Sequence, residues 1–144
     1  MNSIKLELDI GTNRADCALG ARVSINGQTI YDNSHVTDTQ HVSHDIPDED
    51  GEHELSIELY GKLPEHTKID SAGQITHDAL LSIANIQLDG INIDRISADL
   101  IKYHHDFNGS QPATVDRFYG TMGCNGQLKL NFTTPIYLWL LENM

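Results

Sequence analysis

Apolar and polar residues alternate through most of this chain. Ile4, Leu6, Leu8 and Ile10 are separated by Lys5, Glu7 and Asp9, the period-two pattern of a strand with one buried face. Gly11 to Asp16 is rich in turn residues. Ala21, Val23 and Ile25 alternate again and run into Asn26-Gly27. Asn-Gly between alternating runs predicts a two-residue hairpin, because both central positions of a type I′ turn need positive φ. Ile30 and Tyr31 then belong to the return strand. Val36, Gln40, Val42, His44 and Ile46 share one parity in a polar segment, which predicts an edge or largely exposed strand. Pro47 to Gly51 is a turn by composition. Leu55, Ile57 and Leu59 alternate with Glu54, Ser56, Glu58 and Tyr60 in the clearest strand of all.

Lys62 to His77 is polar and long, and it contains Pro64 and Gly73. It predicts a loop of a length that often carries function. Asp78 to Leu88 admits two readings. Leu80, Ile83, Ala84 and Leu88 have helical spacing behind a capping Asp78. The favoured reading is a strand covered on both faces, since apolar residues occupy both parities and the run ends at Asp89-Gly90. Ile91 and Ile93 follow on the return strand, and Ile96 to Tyr103 reads as a further strand. His104 to Asp116 is a second long loop. Val115 to Met122 is a short aromatic strand, and Cys124-Asn125-Gly126 gives a second Asn-Gly turn before the alternating Leu128, Leu130 and Phe132. In the last segment, Thr134 as N-cap and Pro135 in the first turn would start a short apolar helix. A buried strand is the alternative there. Roughly nine or ten strands at this turn spacing predict an all-β fold, an antiparallel, jelly-roll-like β-sandwich, with residues 1–144 as one domain.

Composition narrows the function classes. Of 144 residues, 21 are acidic and 9 basic, a formal charge of −12. Such a surface repels phosphate backbones, so no nucleic-acid partner is expected. No 18-residue apolar run occurs, which argues against a transmembrane helix. The first ten residues lack a basic region followed by an apolar one, so synthesis in the cytoplasm without a signal peptide is expected. Cys17 and Cys124 are too few for a disulfide framework; one bridge between them is the alternative to the favoured reading of two free buried thiols.

Catalytic signatures are missing. There is no nucleophile elbow, phosphate loop or dinucleotide fingerprint, and no two carboxylates mark a cleft. The chain is therefore not read as an enzyme. The eight histidines have poor metal spacing: His41 and His44 face opposite sides of a strand, and His104 and His105 diverge. The Lys62–Asp78 loop offers more. It carries Glu65, Asp70 and Asp78 with hydroxyls and carbonyls, and calcium takes six to eight oxygens from such loops. Asp78 and Asp70 are thus the candidate metal ligands, with a plain solvated loop as the alternative. Glycan platforms need exposed aromatic faces; Tyr60 and Tyr103, with His66 from the loop, are the candidate ligand-binding residues. Tyr119 is similarly placed. Trp139 reads as core or interface.

Two resemblances bear on this. GARVSINGQTI, HVSHDIPDEDGEHELSIELYG and DALLSIANIQLDG, within residues 15–90, are similar to the calcium-dependent xylan-binding carbohydrate-binding modules. Placing Leu88 to Gly90 on the family's closing V-D-G puts Asp78 on its calcium-binding Asp. That resemblance implies a non-catalytic glycan-binding sandwich with calcium as cofactor. It also sets Gly61 and Lys62 where the family carries Asn-Asp, so one implied calcium ligand is missing. HDFNGSQ and DRFYGTMGCNGQLKLNFTTPIYLWLLENM, with GEHELSIELYGK, resemble small uncharacterised proteins of marine T-even-like cyanophages. This implies a phage-encoded protein made in host cytoplasm, with other virion proteins as partners. The alternative function is a self-assembling structural protein without a ligand. Its motive is the apolar PIYLWLLENM tail, and its default form would be a closed homo-oligomer.

Overall fold

The structure, a computed structural model, describes residues 3–106 and 112–143. The chain runs through β1 (Ser3–Thr12), β2 (Gly20–Ile25), β3 (Gln28–Asn33), β4 (Gln40–Pro47), β5 (Gly51–Tyr60), β6 (Thr67–Ile69), β7 (Ile75–Asp78) and β8 (Leu81–Leu88). It continues through β9 (Ile91–Asn92), helix α1 (Ser97–Leu100), β10 (Lys102–His105), β11 (Thr114–Arg117), β12 (Thr121–Met122), β13 (Gly126–Thr134) and helix α2 (Ile136–Asn143). One sheet has the order β12-β8-β1-β4, with β9 on β8; the other has the order β11-β10-β13-β5-β2-β3. All recorded strand pairs are antiparallel. The expected β-sandwich is the observed fold.

The alternation explains the core. Ile4, Leu6, Leu8 and Ile10 face Leu55, Ile57, Leu59, Leu128, Leu130 and Phe132 in one continuous apolar cluster between the sheets. Truncating any one of these would cost about 2–5 kcal/mol through lost burial and the cavity left behind. Asn26-Gly27 and Asp89-Gly90 both take positive φ at both positions, and they turn β2 into β3 and β8 into β9 as expected. β4 is an edge strand, also as expected. Val36 lies outside it; it is fully buried, and its N–H donates to Leu19 O.

Several expectations need correction. β8 has one buried face, not two. Leu81 and Ile83 point inward on one parity, Ile86 and Leu88 on the other, because the register slips between them. Asn85 adopts φ 54° at the slip, and the Asp94 carboxylate accepts the Asn85 and Ile86 N–H groups. This β-bulge mimics a doubly covered strand in the sequence. Residues 96–103 form α1 and β10 instead of one strand. Phe118 and Tyr119 fall between β11 and β12, which lie in different sheets. Asn125-Gly126 is therefore no hairpin, and neither residue has positive φ. The long loop from Lys62 contains a 3₁₀ turn at Pro64–His66 and the hairpin β6–β7. Within the loop from His104, residues 107–111 lie outside the described residues.

The C-terminal segment is the expected helix, capped differently. Asp48, from the turn after β4, accepts the Ile136 N–H at 2.9 Å, while the Thr134 hydroxyl donates to Glu49 O. Ile136, Trp139 and Leu140 are buried on the chain's own core, whereas Tyr137, Leu138 and Leu141 face outward. Cys17 and Cys124 are free. No helix among the described residues is long and apolar enough to cross a membrane.

Candidate functional site

Alternation in β5 sends Ile57 and Leu59 into the core and leaves Glu58 and Tyr60 on the outer surface. β10 does the same with buried Tyr103 and His105 against exposed His104. Together with the start of β11 and the approach to β13 they enclose an open groove of about 550 Å³. Its polar lining includes Glu58, Tyr60, His104, Asp106, Thr114 and Asn125.

Tyr60 is held in place by its neighbours. Its ring lies against Gly20, where an added Cβ would come within 2.4 Å of the ring. The Arg22 guanidinium sits over the ring, 4.9 Å from its centroid. The hydroxyl donates to Asp32, and Arg22 reaches both Asp32 and Glu58. The hydrogen bond from Tyr60 holds the Asp32 carboxyl below its usual range, and the same bond raises the Tyr60 phenol. The groove wall is thus a preorganised aromatic with hydrogen-bonding groups beside it.

Beside the groove four segments are tied together around the Lys62–Asp78 pair. The Asn125 side chain clamps the Lys62 backbone, accepting its N–H and donating to its carbonyl, both at 2.9 Å. The Lys62 ammonium donates to Asp78 Oδ1 and to the Gly123 carbonyl. Asp78 Oδ1 also accepts the Thr67 hydroxyl at 2.7 Å. Asn13, just beyond β1, receives the Leu80 N–H and donates to the Asp78 carbonyl. The Lys62 side chain is only 1% exposed. Burying an ammonium is tolerable only with such paired oxygens around it.

The structure brings few of the residues named from sequence together. Tyr60 lines the groove. Tyr103 does not offer a face to ligand: it is buried, packs its ring against His105, and bonds through its hydroxyl to the Cys124 backbone. Burial pushes its phenol well above the usual range. His66 holds the 3₁₀ turn, its Nδ1 accepting the Leu63 N–H. Asp70 and Asp78 stand at opposite ends of the β6–β7 hairpin. Asp70 Oδ1 caps the tip by accepting the Ala72 and Gln74 N–H groups, while Asp78 faces Lys62 at the base. The hairpin does not bring the two carboxylates together, and Asp78 Oδ1 is bonded to the Lys62 ammonium. Among the described residues no group of three or more His, Cys, Asp or Glu is arranged to hold a metal.

Asn13, Asn125 and Gly123 were not singled out from sequence. Asn125 carried a signal that pointed elsewhere, since Asn-Gly reads as a turn. Trp139 is core, its ring edge-on to Phe132. A second hollow of about 510 Å³ borders it, with Glu52, Glu54 and Asn131, but the indole is 6% exposed and presents almost no face.

No protein-family model matches the sequence, and no curated protein does. Among solved structures, the chain resembles vCBM60 in its selenomethionine form, described in work linking two families of calcium-dependent carbohydrate-binding modules by circular permutation. That match has 10% identity and a TM-score of 0.53 over 88% of this chain and 89% of the other. It also resembles vCBM60 in complex with galactobiose, at 14% identity and a TM-score of 0.51 over 90% and 99%. At these identities the shared property is the sandwich fold.

Proposed function

We propose that this protein is a non-catalytic carbohydrate-binding module whose ligand lies in the groove beside Tyr60. The observation that carries the reading is that groove: a rigidly held aromatic ring with carboxylate, imidazole, hydroxyl and amide groups around one open, sugar-sized hollow. Sugars are recognised by aromatic surface together with hydrogen bonds to several hydroxyls, and a pocket with a few convergent polar groups is suited to this. The galactobiose-bound relative in fold supports the ligand class. An acidic protein with Glu58 and Asp106 in the groove favours neutral over acidic glycans.

A glycan array followed by isothermal titration of the best hit tests this. Tyr60→Ala should weaken binding at least tenfold, about 1.4 kcal/mol, while Trp139-side substitutions such as Glu52→Ala leave it unchanged. An array without a single hit would sink the reading. Unchanged affinity in Tyr60→Ala would move the site elsewhere.

A further inference from the structure

We propose that the Lys62 ammonium serves as a built-in cation at the base of the β6–β7 hairpin, so that this corner is organised without calcium. The first observation is positional. Asp78 Oδ1 and the Gly123 carbonyl come from separate segments and both accept from the Lys62 ammonium, and the Thr67 hydroxyl donates to the same Asp78 oxygen. Oxygen atoms gathered from irregular backbone around a carboxylate are the usual surroundings of a hard cation. Here the charge facing those oxygens is Lys62 Nζ, 2.5 Å from Asp78 Oδ1 and bonded to the Gly123 carbonyl.

The second observation is burial. With its side chain 1% exposed, Lys62 cannot swing into solvent without leaving its packing site and giving up the ammonium's bonds to Asp78 and the Gly123 carbonyl. A divalent ion would need the same volume as the ammonium. It would also need several further oxygens, and among the described residues no acidic cluster provides them. The residues present therefore do not fit calcium. They fit a tethered monovalent charge that arrives with the fold.

The third observation is connectivity. Asn125 both clamps Lys62 and lines the groove. Gly123, which accepts from the ammonium, lies two residues before Asn125 and packs beside Leu80 and Asp78. The Lys62 charge thus fixes one groove wall, the role a bound ion would otherwise take. Calcium-dependent binding is described for the first structural relative, and a tethered ammonium would make this corner of the chain independent of the ion.

The test is thermal unfolding and calcium titration of the intact protein. Wild type should unfold at the same temperature in chelator and in millimolar calcium, apart from any shift that magnesium reproduces. Calorimetric titration with calcium should give no saturable heat. Lys62→Met, which keeps the stem and removes the charge, should lower Tm by roughly 10 °C in both buffers. A saturable rise with calcium that magnesium does not produce would overturn the proposal, and so would an unchanged Tm in Lys62→Met. Should that variant fail to fold, the wild-type titration decides alone. These readouts do not involve glycan, so an empty glycan array would defeat the functional reading and leave this inference standing.

Discussion

Two acids in this protein each receive a basic side chain from elsewhere in the fold, and the acids are equally exposed. Asp78 meets Lys62 beside the groove; Asp9 meets His41 across β1 and β4 on the outer face of the other sheet. Both carboxylates are 27% exposed, but Lys62 is 1% exposed and His41 56%. Water at the base is what separates them. His41 can trade either acid for solvent, so its contacts to Asp9 and Glu7 belong to the class of surface pairs worth little. Lys62 has no such exchange, and losing its partner strands a charge inside the protein. The same chemistry tunes a surface in one place and holds three segments together in the other.

The sharpest way to break this comparison is to remove each acid in turn. Asp78→Ala should destabilise the protein by about 3–5 kcal/mol, because the buried ammonium keeps only neutral acceptors. Asp9→Ala should cost at most about 1 kcal/mol. Denaturant unfolding of the two variants measures both, and equal losses would show that burial of the base is not the deciding variable. Asn125→Ala comes next in size. It leaves charge in place and removes two hydrogen bonds to the Lys62 backbone, one of them satisfying a part-buried N–H, so about 1–3 kcal/mol should be lost. A loss much below that would mean the ammonium alone organises the corner.

The corner was partly legible in the sequence, and the reasons differ residue by residue. The sandwich was readable because Ile4–Ile10 and Leu55–Leu59 keep a strict period of two, and two turns carry residues that only positive φ explains. Lys62 and Asp78 stood out as residues at the ends of a long loop, but the sequence could not show that the hairpin between them brings them into contact. That follows from the Thr67–Asp78 register, a pairing set by strands of three and four residues, too short to leave a pattern. β8 misled for a physical reason: a bulge at Asn85 moves the buried set to the other parity, and a list of apolar positions cannot tell a bulge from two buried faces. Asn125 misled because Asn is favoured both in turns and as a two-way backbone clamp, and only tertiary contact with Lys62 separates the two uses. Tyr103 alternates like Tyr60, yet one ring turns inward and the other outward, and nothing local marks which strand face is covered.

The smallest expected effect sits on the exposed side of the comparison, and pH reaches it. His41 is raised above its ordinary range, mostly by its hydrogen bond to Asp9 and then by that to Glu7. Asp9 is lowered by the hydrogen bond from Asn85 and then by that from His41. A raised base stabilises the fold through its protonated form. That contribution is complete below the unfolded histidine value of about 6.5 and is lost as pH rises through the folded value. The lowered acid works in the opposite sense: its contribution is present above the unfolded carboxyl value of about 3.9 and fades as pH falls through the folded one. The patch therefore contributes most between those limits and weakens toward alkaline pH. Titration of the His41 ring followed by NMR should place its midpoint above the ordinary histidine value. Asp9→Asn should bring it down further than Glu7→Gln, since the Asp9 contact is shorter, 2.7 Å against 3.2 Å. A midpoint indifferent to both substitutions would show that the exposed pair is geometry without energy, and would widen the contrast with Lys62 to its limit.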